Sequence, residues 1–155
     1  MSSISLDIVI GAGSAIGRAL IERWSGEGAQ RILAVARSAD SLAVVEQLGV
    51  QTHQCDYSEA ALAALAIQLQ EQSADISRLV ICNGVLQGEG YRPERALNQL
   101  KTSAMEQVFE INTFLPMRVL ASLAPVLKRS AAPRLAVLSA RVGSIGDNGL
   151  GGWYS

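Results

Sequence analysis

The chain has 155 residues and a mass of 16.4 kDa, which is the usual size of one domain. Hydrophobic residues make up 49% of it and charged residues 17%, a balance that excludes a disordered chain. The formal charge of −1 gives no electrostatic argument for nucleic acid or an anionic membrane as a partner, and one histidine with two cysteines suits neither a zinc site nor a disulfide scaffold.

Short apolar runs alternate with longer amphipathic stretches along the chain. Strands are predicted over residues 6–10, 31–36, 50–55, 79–82 and 134–139. Helices are predicted over residues 15–28, 41–48, 59–72 and 102–129, and Pro116 should kink or break the last of them. Residues 86–98 should form a loop with a short helix, and the five glycines of 143–152 a further loop. This alternation predicts one α/β domain over residues 1–155, a doubly wound parallel sheet with helices on both faces.

We expect no targeting or membrane-spanning segment. The apolar stretch 4–10 is interrupted by Asp7 and has no basic residue before it, unlike a signal peptide. The apolar runs are shorter than the roughly 20 residues that span a bilayer. We therefore expect a cytoplasmic protein in which Cys55 and Cys82 are reduced and have a structural role.

A glycine-rich turn, the string GAGSAIG over residues 11–17, follows the first predicted strand and opens the first helix. The phosphates of a dinucleotide bind at this position in a doubly wound sheet, because small residues admit the main chain closely and the helix start offers free N–H groups. The turn predicts a dinucleotide site, the alternative being a purely structural tight turn. The candidate contacts are Gly11, Gly13, Ser14, Ile16 and Gly17.

The spacing of the glycines indicates which variant of this turn is present. Ile16 stands where the last glycine of G-x-G-x-x-G should be, whereas Gly11 and Gly17 fit G-x-x-x-G-x-G with Ala15 in place of the middle glycine. In this form the turn resembles that of the short-chain dehydrogenase/reductase family. The resemblance implies a Rossmann-type sheet, of which the chain covers the N-terminal part only, and a nicotinamide dinucleotide as cofactor.

The end of the second predicted strand bears on the choice between NAD and NADP. An acid about 20 residues after the glycines binds the ribose 2′-hydroxyl of NAD, whereas an arginine accommodates the 2′-phosphate of NADP. Arg37 stands 20 positions after Gly17 and is followed by Ser38, while Asp40 is expected to cap the next helix. NADP is therefore favoured over NAD, and the alternative is a solvated arginine at a strand end.

Two further strings resemble the family and follow in the same order along the chain. Asp56 and Tyr57 come after the third predicted strand, where the family binds the adenine amino group. A charge at the start of a helix is the alternative explanation of Asp56. Asn83 and Gly84 resemble the family's turn that lines the adenosine ribose, although only Gly84 matches cleanly.

The resemblance also implies three catalytic candidates. Asn112, inside the long helix, resembles the asparagine that supports a proton-relay water, the alternative being a satisfied polar residue that bends the helix. Ser139 follows the fifth strand, where the family carries its catalytic serine. Ala140 aligns with that serine itself, so Ser144 is the other candidate hydroxyl.

The last residues, which include GGWYS, resemble the branch of the family that contains the C-factor signalling proteins. The family's Tyr-x-x-x-Lys pair is incomplete, because only Ser155 follows Tyr154. The resemblance implies an NADP-dependent oxidoreductase acting on a small carbonyl or alcohol, inactive as this 155-residue chain. The alternatives are a non-catalytic dinucleotide-binding or C-factor-like signalling protein, and a truncated product. The family also implies a homodimer or homotetramer formed through the helix 102–129.

Overall fold

A computed structural model of the protein describes residues 5–27, 31–94, 96–140 and 146. The strands are β1 (Ser5–Ile10), β2 (Arg31–Ala36), β3 (Gln51–Gln54), β4 (Asp75–Ile81) and β5 (Arg134–Val137). The α-helices are α1 (Ala15–Gly26), α2 (Ala39–Glu46), α3 (Glu59–Glu71), α4 (Thr102–Phe109) and α5 (Leu115–Leu127). A 3-10 helix, Leu97–Gln99, precedes α4, and a π-helix, Glu110–Phe114, joins α4 to α5.

The five strands form one parallel sheet in the order β3-β2-β1-β4-β5. From β1 the chain adds strands outward on one side as far as β3, and then returns to place β4 on the other side of β1. This is a Rossmann-type α/β arrangement, and its strand order reverses between β1 and β4. Ile10, the last residue of β1, lies between Val35 and Ile81.

Helices cover both faces of the sheet, which confirms the doubly wound prediction. On one face the α3 and α5 side chains pack on alternate residues of β1, in a core that includes Leu6, Ile8, Ile10, Leu62, Leu65, Val119 and Leu123. On the other face α1 and α2 pack in a second core, which includes Val9, Ile21, Trp24, Ala34, Leu42 and Val45. In the described part of the chain, no helix is long and apolar enough to cross a membrane.

The predicted elements are present, and their bounds differ where polar residues or proline intervene. β4 begins at Asp75 instead of residue 79. The apolar pattern did not indicate its first residues, because several of them are only partly buried and Arg78 interrupts the apolar run. The long helix is interrupted at residues 110–114, and Pro116 lies in the first turn of α5. Since proline has no N–H, it removes the donor that an α-helix would supply to the carbonyl of Asn112.

A buried ion pair joins β1 to β4 near their amino ends. Asp7 is 1% exposed and its carboxylate accepts a hydrogen bond from the Arg78 guanidinium. The same guanidinium lies 4.0 Å from the centre of the Trp24 ring and 3.8 Å from the carboxylate of Glu27. Arg78 therefore compensates a carboxylate that would otherwise be charged inside the core between the sheet and α1.

We predict that Arg78→Ala lowers the free energy of unfolding by about 3–5 kcal/mol, because it leaves the Asp7 charge buried without its partner. Denaturant unfolding measures this loss. The matched control is Glu27→Ala, whose side chain is 44% exposed and which should change stability by less than about 1 kcal/mol. Similar small losses in both variants would contradict the assignment of Arg78 as the compensating charge.

Candidate functional site

The glycine turn lies at the carboxyl end of β1, where the order of the strands reverses. Gly11 has a φ of +79°, and a Cβ at this residue would lie 2.9 Å from the main-chain nitrogen of Asn83. A Cβ on Gly17 would lie 2.6 Å from the carbonyl oxygen of Gly11. Helix α1 therefore starts in direct contact with the turn, and its positive end faces the space beyond the sheet.

The first turn of α1 keeps donors free for an anion. The Ser14 hydroxyl oxygen caps the helix by accepting from the Gly17 N–H at 3.0 Å, and the Arg18 N–H donates to the Ser14 carbonyl at 2.9 Å. The N–H groups of Ala15 and Ile16 have no acceptor within the helix. The Ile16 side chain is 56% exposed at this helix start. This arrangement suits a pyrophosphate, which accepts hydrogen bonds from main-chain N–H groups.

Helix α2 packs on the other side of the turn. A Cβ on Gly13 would lie 2.7 Å from the Cβ of Ser41 in the first turn of α2. Glycine is therefore required here by close packing of two parts of the protein, in addition to any approach of a cofactor. Sequence reasoning did not identify Ser41, since a serine near a helix start carries no signal of what packs against it.

Tyr57 supports the turn from beneath. Its hydroxyl donates to the Val35 carbonyl at 3.2 Å and accepts from the Gly11 N–H at 3.2 Å. The residue is 2% exposed with a φ of +65°, and burial raises the pKa of its phenol. Because the whole residue is enclosed, the phenol of Tyr57 acts as a positioning group for the glycine turn.

The ends of β2 and β3 carry the polar side chains predicted from the sequence. Arg37 is exposed directly after β2, and its carbonyl accepts from the Gln54 side-chain amide at 3.0 Å. Ser38, and not Asp40 as expected, caps α2, since its hydroxyl accepts from the Ser41 N–H at 3.4 Å. Both residues are compatible with a helix start, and the β conformation at Ser38 decides between them.

Asp56 is exposed at the end of β3, at the same edge of the sheet. Its carboxylate accepts from the Ser58 N–H at 2.9 Å, and this hydrogen bond is the main cause that lowers the pKa of the Asp56 carboxyl. Ser58 in turn caps α3. The exposed carboxylate is thus oriented by Ser58 at this edge of the sheet, as a contact with an adenine amino group would need.

Asn112 clamps the loop that follows β4. Its side-chain oxygen accepts from the Val85 N–H, and its side-chain nitrogen donates to the Val85 carbonyl, both at 2.8 Å. A Cβ on the neighbouring Gly84 would lie 3.7 Å from the side-chain oxygen of Asn112, which is an ordinary van der Waals contact. The ion pair between Glu110 and Arg118 spans the π-helix that carries Asn112, and it lowers the pKa of the Glu110 carboxyl.

We predict that Asn112→Ala lowers the free energy of unfolding by about 1–3 kcal/mol, because it leaves the two Val85 main-chain groups without their partners. Thermal or denaturant unfolding measures the loss. Asn98→Ala, in the exposed 3-10 helix, is the matched control and should stay within about 0.5 kcal/mol of the parent chain. Equal stability of the parent and the Asn112 variant would show that the clamp does not hold this loop.

The catalytic serine candidates are described only in part. Ser139 and Ala140 are both exposed after β5, whose four residues are also exposed. Ser144 and Tyr154 lie outside the described residues. Among the described residues, the candidate cofactor contacts lie at the carboxyl edge of the sheet. The catalytic candidates Asn112 and Ser139 lie at the same edge.

The sequence model of the short chain dehydrogenase family matches residues 7–153. The chain belongs to the short-chain dehydrogenase/reductase family. The matched residues include the glycine turn, the ends of β2 to β5 and Asn112.

A curated member of the same family is 26% identical to this chain over 155 residues. It is 1-hydroxy-2-glutathionyl-2-methyl-3-butene dehydrogenase from Rhodococcus sp. (strain AD45). The match covers 98% of this chain and 63% of the relative. The chain therefore spans less than two thirds of the length of this relative.

Solved structures show the same fold over most of the chain. The bulky-bulky ketone specific alcohol dehydrogenase from Comamonas testosteroni has a TM-score of 0.73 at 22% identity, over 97% of this chain and 60% of its own. A ribose-5-phosphate isomerase from Brucella melitensis 16M has a TM-score of 0.77 at 23% identity, over 92% and 54%. Because these two proteins are named for different activities and are less than 25% identical to this chain, their likeness to it concerns the fold alone.

Proposed function

We propose that the protein is an NADP-dependent oxidoreductase that transfers a hydride between the nicotinamide and a small carbonyl or alcohol. The observation that carries the proposal is the glycine turn at the switch point between β1 and β4, with the free N–H groups of α1 above it. Family membership supports a nicotinamide cofactor.

In this proposal, residues of four strand ends hold the cofactor. The N–H groups of Ala15 and Ile16 bind the pyrophosphate, and Arg37 pairs with the 2′-phosphate. Asp56 accepts from the adenine amino group, and Gly84 lets the ribose approach the main chain. No described carboxylate follows Arg37 within two residues, so the end of β2 does not repel a 2′-phosphate.

The nicotinamide, when bound, supplies or accepts the hydride. The side-chain amide of Asn112 is held by the main chain of Val85 on both its oxygen and its nitrogen, so we assign the proton-relay role to the Asn112 main-chain carbonyl. Pro116, four residues later, has no N–H to donate to that carbonyl in the α-helical pattern, which supports this assignment. Ser139 or Ser144 would donate a hydrogen bond to the substrate oxygen.

A second candidate function is dinucleotide binding without catalysis, as in a C-factor-like signalling protein. Ala140 at the usual serine position favours it. The test is NADPH oxidation with a panel of aldehydes and ketones. If a longer form of the chain oxidises NADPH with any of them, the enzyme is favoured over the binding protein.

We predict that Arg37→Asp shifts the binding preference from NADPH to NADH, because a carboxylate repels the 2′-phosphate and accepts from a 2′-hydroxyl. Titration with both nucleotides, followed by nucleotide fluorescence, should show a loss of NADPH affinity of about tenfold or more. Arg31→Asp, at the amino end of the same strand, is the control and should keep the parent preference. An unchanged ratio of affinities in the Arg37 variant would remove Arg37 from this role.

Self-association through α4 and α5 is part of the same proposal, as a homodimer or homotetramer. Phe114 is 53% exposed and Met117 is 63% exposed. Phe114 ends the π-helix and Met117 lies three residues later in the first turn of α5, so their side chains form one apolar patch, which we call the 114–117 patch. An exposed apolar patch on a helix is typical of a surface that another chain covers.

We predict that Met117→Glu reduces self-association, because it places a charge inside the buried interface. Light scattering coupled to size-exclusion chromatography should show a lower mean mass than for the parent chain at equal concentration. The control is Val44→Glu on α2, 49% exposed on the opposite face of the sheet, which should leave the mass unchanged. A parent chain that is monomeric at high concentration would contradict the proposed oligomer.

A further inference from the structure

A small pocket lies in the loop between β4 and α4, apart from the residues assigned to the cofactor. Its volume is about 190 Å³, and its lining includes Tyr91, Arg92, Glu94, Gln99 and Lys101. Pockets that enclose a whole small ligand usually measure about 300–1,000 Å³. This pocket therefore has the size to hold one chemical group of a larger ligand.

The loop has a defined shape that forms the pocket without a ligand. The Gly88 N–H donates to the Tyr91 carbonyl at 3.2 Å, and the Tyr91 N–H donates back to the Gly88 carbonyl at 3.3 Å. The Tyr91 ring covers Gly88 so closely that a Cβ there would lie 2.4 Å from a ring carbon. Gly90, between them, has a φ of +80°. Such preorganisation reduces the entropy lost when a ligand binds.

Two cations border the pocket. Arg92 and Lys101 are both exposed, and in the described part of the chain neither makes an ion pair. Among the described lining residues, Glu94, which is 7% exposed, is the one acidic side chain, so their formal charge is positive. Arg92 and Lys101 line the same concave surface. A guanidinium and an ammonium are groups that bind an oxyanion, such as a carboxylate or a phosphate.

The topology places this pocket on the side of the sheet where the substrate must enter. The loop leaves the carboxyl end of β4 beside the glycine turn and returns to the same edge where α4 starts. Asn112 holds the beginning of the loop through Val85. Ligands of doubly wound sheets bind beyond this edge, so the pocket and the cofactor site face the same region.

We propose that Arg92 and Lys101 bind an oxyanionic group of the substrate, so that the substrate class is a carbonyl or alcohol that also carries a carboxylate or a phosphate. This inference rests on the proposed oxidoreductase function. The cation pair then determines substrate specificity and holds the reacting end toward the nicotinamide.

The test is a titration of the chain with succinate, followed by NMR chemical shifts of the loop amides. Succinate should shift the signals of residues 90–94 and 99–101, and the uncharged succinamide should not. Arg92→Gln and Lys101→Gln should each weaken succinate binding about tenfold, because each removes one charge-assisted contact. Lys128→Gln, which removes an exposed cation at the end of α5, should leave the affinity unchanged.

A parallel titration with inorganic phosphate distinguishes the two sources of the oxyanion. Tighter binding of phosphate than of succinate at the same residues assigns the pocket to a phosphorylated substrate, and the reverse assigns it to a carboxylate. The inference is overturned if neither anion shifts the loop at millimolar concentration, or if the two variants bind like the control. NADPH is titrated into the same samples. If the chain binds the anion but does not bind NADPH, the oxidoreductase proposal is rejected and the pocket remains assigned as an oxyanion site.

Discussion

The main chain of Gly11 is the point at which four strands meet beyond their carboxyl ends. Its N–H is shared between the Val35 carbonyl at 2.9 Å and the Tyr57 hydroxyl at 3.2 Å, and its Cα packs against the main chain of Asn83. The ends of β2, β3 and β4 thus fix the turn that follows β1. A side chain at residue 11 would separate these loops, and the start of α1 would lose its position above the strand-order reversal.

The two ends of the sheet are stabilised in different ways. At the amino end, the Arg78 guanidinium compensates the buried Asp7 carboxylate, so these two charges are paired with each other inside the protein. At the carboxyl end, helix N–H groups and the Arg37 side chain remain directed toward solvent. A positive φ at Tyr57 adds local strain at this end. Polar groups that the fold leaves unused, beside a strained residue, are typical of a binding edge.

The parts of the fold that could be predicted are those with a strong apolar pattern. β1 and β2 are almost continuously buried, and their apolar runs located them to within a residue. The start of β4 was hidden because Arg78 is polar, and its ion pair with Asp7 is a long-range contact that no local pattern reports. Likewise, Tyr57 follows β3 where a cofactor contact was expected, but only the folded structure shows that its hydroxyl turns inward to Gly11.

The measurement that tests the central claim most directly is a map of amide NMR shifts on addition of NADPH to the chain. The account predicts the largest shifts at the carboxyl edge of the sheet, in residues 11–17, 37–38 and 83–85, and small ones at residues 75–78 at the amino end. Saturable shifts in that pattern would establish the dinucleotide site. No shift at millimolar NADPH, or shifts centred at the amino end, would contradict it.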